Sequence, residues 1–114
     1  MKRRGVETKL AIEPNGEPQS RIDEHLVGLV ARALRWFEEI RAGEAGSIQE
    51  IAGRENRDPS DIGRELQFAF LAPDIVDAIL AGRQPVELTA RRLRHMGSLP
   101  MDWQAQRELL GFAA

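Results

Sequence analysis

Six positions within one short stretch carry the clearest chemical signal in this chain: Arg57, Ser60, Asp61, Gly63, Arg64 and Gln67. Arg64 offers a planar fork of donors that matches the O6 and N7 edge of guanine, and Gln67 offers the donor and acceptor that match adenine. Ser60 stands where a helix begins, so its hydroxyl and the free N–H groups of the first turn can hold a phosphate. Asp61 has two readings. It accepts from a cytosine amino group, or it stabilises the helix start through the macrodipole. Gly63 shares the outward face, and Arg57 lies in the polar corner just before it. Further on, Arg91, Arg92 and Arg94 stand beside His95 and suit contacts to a nucleic-acid backbone. The chemistry on offer is hydrogen-bonded recognition of double-stranded DNA.

Catalysis finds little support. The chain has no cysteine and only two histidines, which excludes disulfides, thiolate metal sites and cysteine nucleophiles. Asp74 and Asp77 are three apart, yet no histidine or third carboxylate is spaced to complete a metal shell. Glu38 and Glu39 are neighbours and diverge on a helix, so they read as a wet face. His25 reads as an ordinary helix-start residue. With no nucleophile and base pair in view, the expectation is a non-enzyme without cofactor, metal or small-molecule substrate.

The candidate residues need two helices and a tight corner to position them. Ser47 to Leu71 has that outline, a helix-turn-helix with its first helix from Ser47 to about Glu55 and its second from about Ser60 to Leu71. Ser47 and Glu50 form a capping box, and Ile48, Ile51 and Ala52 make an inner face, with the small Ala52 suited to close helix crossing. Asn56 tolerates positive φ and can serve as the turn. Asp58 or Ser60 is the next N-cap, with Pro59 near the first turn. Ile62, Leu66, Ala69 and Phe70 then point inward.

Around this unit the chain reads as a mainly α domain. Residues 1–19 form a basic N-terminal arm or short strand, and residues 20–114 a helical domain. A long helix starts at a Ser20–Asp23 capping box and ends at Gly43. Its apolar stripe comprises Leu26, Val30, Ala33, Phe37 and Ile40, widened by Val27 and Leu34, with Trp36 and Phe37 as core anchors. Pro73 opens a short helix with Ile75, Val76, Ile79 and Leu80 on its apolar side, closed by Gly82. Pro85 introduces another, with Leu88 and Leu93 inward and the three arginines outward. Asp102 and Gly111 punctuate a last helix rich in apolar residues, Trp103, Leu109, Leu110 and Phe112, which docks on its own domain or offers a homodimer surface.

A chain of 114 residues suits one domain. Its net charge of −2 argues against coating nucleic acid by bulk electrostatics, so any DNA contact must be a local patch. Glu50, Glu55, Asp58, Asp61 and Glu65 surround the motif, and any that faced phosphate would repel it. No apolar run approaches the roughly eighteen residues of a membrane helix, and no signal-peptide core appears at the start. A cytoplasmic protein is expected.

AFLAPDIVDAILAGRQP from Ala69 and LPMDWQAQRELLGF from Leu99 resemble the C-terminal DNA-binding region of serine site-specific recombinases of the resolvase/invertase superfamily. RGVETKLAI from Arg4, Trp36-Phe37 and SIQEIA from Ser47 agree with it. The stretch from SIQEIA to LAPDIVDAILAG is less closely similar to partition proteins of the ParB/KorB type. The resemblance implies recognition of a recombination site, with strand exchange left to a catalytic domain outside this chain. Asp61, Arg57 and Glu65 depart from the family pattern, in which an aromatic, an apolar corner residue and a leucine are usual. The alternative expectation is a helical module for protein interaction or self-association.

Overall fold

In the computed structural model, which describes residues 21–112, the first helix begins at an acidic cap. The carboxylate of Asp23 accepts from the backbone N–H groups of His25 and Leu26 and opens α1 (Glu24–Arg41). The expected partner Ser20 and the N-terminal arm or strand of residues 1–19 lie outside the described residues. Gly43, at φ +80°, follows the last turn, where its missing Cβ permits the left-handed conformation.

Along α1 the buried positions are Leu26, Leu29, Val30, Ala33 and Trp36. That stripe is rotated from the expected one. Trp36 is buried as expected and Leu29 joins the interior, whereas Leu34 is exposed and Phe37 half-buried. Rotation lets α1 serve two apolar clusters. Its first half joins Phe68, Ile75, Ile79, Leu88, Leu93 and Leu110 in the larger core. Its second half contributes Trp36, which packs with Ala45, Ile51, Ala52 and Ile62. An indole of this size, wholly removed from water, contributes on the order of 2–3 kcal/mol.

The smaller cluster is the underside of a helix-turn-helix. Ser47 Oγ accepts from the Glu50 N–H at 3.0 Å and opens α2 (Ile48–Glu55). Glu50 reaches back one residue further than a capping box requires, accepting from the N–H of Gly46 at 2.8 Å. Asn56, at φ 58° and ψ 47°, closes α2 in the left-handed region, which asparagine adopts at small cost. Asp58 then caps α3 (Pro59–Leu66), with proline at the first turn where no N–H is needed. The α-helix stops at Leu66 and tightens into a 3₁₀ turn over Gln67–Phe70. This change of pitch buries Phe68 and turns Phe70 outward, where it meets Phe37 edge to face at 5.0 Å between centroids. Phe70 is thus a surface residue, contrary to the inward position expected from a continuous helix.

Three short helices complete the domain: α4 (Pro73–Leu80), α5 (Ala90–His95) and α6 (Trp103–Leu110). Ile75 and Ile79 are buried on α4 while Leu80 lies outside. The helix expected after Pro85 begins only at Ala90, because Thr89 supplies its cap by accepting from Arg92 N–H. The caps at Asp102 and Gly111 of α6 agree with those expected from the sequence. A buried amide fastens these pieces. Gln106, fully buried on α6, accepts from the Ala72 N–H at 2.8 Å and donates to the carbonyls of Phe70 and Pro100. It satisfies peptide groups that the 3₁₀ turn and its flanks leave without helical partners. The described residues are helical with no strand, and no helix among them is long and apolar enough to cross a membrane.

Gly82 makes the tightest backbone approach. Its carbonyl accepts from the Arg21 N–H at 2.7 Å, its φ is +75°, and a Cβ there would stand 2.5 Å from the Arg21 carbonyl carbon. Gly82→Ala is therefore expected to lower the unfolding free energy by about 2 kcal/mol or more. Gly53, inside α2, is its control, since a Cβ added there would meet nothing within 4 Å. Gly53→Ala should raise stability by roughly 0.5–1 kcal/mol. Urea denaturation of both variants checks the pair, and equal effects would contradict this packing.

Candidate nucleic-acid interface

Glu65 organises the surface around α3. It sits one helical turn after Asp61, and its side chain is only 4% exposed. A buried carboxylate must be paired, because desolvation of a lone charge is costly. Three guanidinium groups do this, each from a different part of the chain. Arg57 in the turn donates at 2.7 and 3.3 Å, and Arg32 on α1 donates at 3.2 Å. Arg94 on α5 stands 3.6 Å away. Burial pushes the Glu65 carboxyl up, but the hydrogen bonds and charges of Arg57 and Arg32 outweigh it and hold its pKa below the ordinary glutamate value.

The structure turns Glu65 inward, so it is not among the motif acids that would meet and repel a phosphate. One carboxylate among three guanidiniums leaves a local surplus of positive charge, and each arginine remains about one-third to one-half exposed. Beside the quartet, α3 and α5 border a cleft of about 350 Å³. Phe68 and Leu93 lie at its base, and Arg57, Arg64, Arg94 and His95 line it with basic side chains. A shallower hollow on the other side of α5 is lined by Thr89, Arg91, Arg92 and His95. His95 borders both hollows, a placement its position next to Arg94 only hinted at.

The other expected contact residues divide clearly. Arg64 is exposed on α3 and pairs with Asp61 one turn earlier, which is half-exposed. Gly63 lies beside them with no atom near a Cβ position. Arg91 is exposed on α5. Ser60 is engaged locally: its N–H and hydroxyl both donate to the Asp58 carboxylate. Those bonds, the hydroxyl's first, hold the Asp58 pKa below its usual value. A phosphate at this helix start would meet that carboxylate, so Ser60 leaves the set of phosphate ligands.

Gln67 is engaged too. Its amide donates to the Gly97 carbonyl at 2.9 Å and accepts from the Leu99 N–H at 2.8 Å. With both polar ends of the side chain holding the turn after α5, Gln67 is a fastener rather than an adenine reader. Arg92 points away from the cleft and donates to the Leu109 carbonyl at 3.0 Å, at the end of α6. On α4, Asp74 forms a two-pronged pair with Arg107 of α6, at 2.9 and 3.0 Å. No group of three or more His, Asp or Glu side chains among the described residues is arranged to hold a metal.

Comparison with models of known protein families, with curated proteins and with solved structures finds no match to this chain.

The Glu65 quartet yields a pH-dependent expectation. Glu65→Gln leaves three arginines without their counter-charge and should cost about 2 kcal/mol near pH 7. A depressed folded pKa means that the carboxylate's contribution is complete above its ordinary value of 4.5 and is lost as pH falls through the folded value. The stability gap between wild type and variant, read by urea denaturation, should therefore close on acidification toward about pH 3. A gap that persists unchanged would contradict the ionised quartet.

Proposed function

We propose that this chain binds double-stranded DNA, with the N-terminal half of α3 in the major groove and α5 beside the backbone. The observation that carries the reading is the pairing of an outward Arg64 on α3 with cations on α5, across a surface whose central carboxylate is buried and over-neutralised. The net charge of −2 is no obstacle where Glu65 is turned inside and Asp61, an acid left on this face, is paired with Arg64. Gly63 adds support. A glycine inside a helix costs up to about 1 kcal/mol relative to alanine, and among the described residues nothing crowds its face. Close approach of an outside surface explains a residue without a side chain there.

The likeness to serine recombinase DNA-binding regions, carried by the Ala69 to Pro85 and Leu99 to Phe112 segments, supports a narrower version: recognition of a recombination site in the cytoplasm, with no catalysis by this chain. A second reading is favoured by one specific observation. Met101, Trp103 and Leu109 stay 74, 49 and 43% exposed at and around α6, an apolar surface suited to self-association or a partner protein. Under that reading the molar mass in ultracentrifugation rises with concentration and no duplex is bound.

Fluorescence anisotropy with labelled duplexes and a salt titration tests the DNA reading. Arg91→Ala should weaken binding to every duplex alike and reduce the slope of log affinity against log salt by about 1. Arg64→Ala should instead erode discrimination between duplexes. Gly63→Ala should raise stability by roughly 0.5–1 kcal/mol while weakening DNA binding, whereas Gly53→Ala changes stability alone. Uniformly weak, salt-insensitive association by wild type would refute the proposal.

A further inference from the structure

We propose that Asp61 determines specificity at the DNA interface by fixing Arg64 to read a guanine, an inference that rests on the DNA-binding reading above. A solvent-exposed arginine samples many rotamers, and ordering it on binding costs up to about 2 kcal/mol. Arg64 already has a partner that biases it toward one geometry: one terminal nitrogen donates to Asp61 Oδ1 from the next turn of the same helix. That contact uses one of five guanidinium N–H donors. The remaining fork matches the O6 and N7 acceptors of guanine, the one base edge in the major groove with two acceptors side by side.

Asp61 carries a first-turn charge that suits the start of α3, but it is not the cap. That role belongs to Asp58, whose carboxylate accepts from the Ser60 N–H. Nor does Asp61 belong to the buried quartet, which closes on Glu65. Among the described residues no donor reaches its second oxygen, and its side chain is 45% exposed beside the cleft. That oxygen can accept from a cytosine amino group next to the guanine. Against a phosphate, or a base edge that offers only acceptors at that place, the same charge is repulsive. Asp61 thus lowers affinity for duplexes in general and preserves it for one containing the G·C step.

Selection from a randomised duplex pool by the full chain at low salt, followed by anisotropy on the enriched duplex and its guanine-to-adenine variant, tests this. Wild type should select a fixed guanine and prefer it by about 10-fold or more. Asp61→Asn keeps the shape and drops the charge. It should bind random duplexes several-fold more tightly and lose most of the guanine preference. Arg64→Lys, which keeps the charge without the fork, should lose that preference too. Circular dichroism and thermal melting should show both variants folded. A pool with no fixed guanine, or an Asp61→Asn protein with unchanged preference, overturns the role of Asp61 while DNA binding stands. Retention of no duplex of any sequence overturns the DNA-binding reading itself.

Discussion

The domain depends on a buried glutamate that its neighbours must neutralise. Glu65 joins three arginines from α1, the turn before α3, and α5. Without it, these elements would bring three partly exposed guanidiniums together with no counter-charge between them. With it, α3 is held at a fixed height between α1 and α5. An ion cluster of this kind adds less net stability than apolar packing of the same volume, but it is directional where Arg57 meets the carboxylate with two nitrogens. Orientation is what a recognition surface needs.

Apolar packing explains the rest of the frame and why the surface is split. Trp36, Ile51, Ala52 and Ile62 form a small core under α2 and α3, separate from the larger cluster that holds α4, α5 and α6 against the first half of α1. The 3₁₀ turn at Gln67–Phe70 lies where the two clusters meet. There Gln106 and Gln67 satisfy the peptide groups that irregular backbone leaves open, one from α6 and one toward the turn after α5. Polar side chains thus bind the helices at the points where helical hydrogen bonding stops, which keeps α3 and α5 in register across the cleft.

Local rules made much of this legible in the sequence. Ser47, Asp58 and Asp102 are caps because their oxygens bond backbone groups two or three residues away, and Asn56 and Gly111 close helices through their own φ. Such features depend on neighbours in the chain. What the sequence did not reveal depends mostly on distant ones, although Ser60 is held by Asp58 only two residues away. Glu65 meets Arg32 across 33 residues, Gln67 meets the 97–99 turn across 30 to 32, and Gln106 meets Ala72 across 34. Residue type alone left the facing of Glu65 open and offered Gln67 as an adenine reader, and only the tertiary fold shows a buried anchor and a fastener. The stripe on α1 shifted for a related reason, since two cores rather than one claim its faces.

Where a duplex touches the molecule decides between the α3–α5 surface and the apolar side of α6. Titration of isotopically labelled protein with a short duplex, followed by amide and arginine side-chain NMR resonances, measures this residue by residue. DNA binding through α3 and α5 predicts the largest shifts at Asp61, Gly63, Arg64, Arg91 and Arg94, with Trp103 and Leu109 unmoved. Shifts confined to Met101, Trp103 and Leu109, or none at stoichiometric duplex, would contradict it.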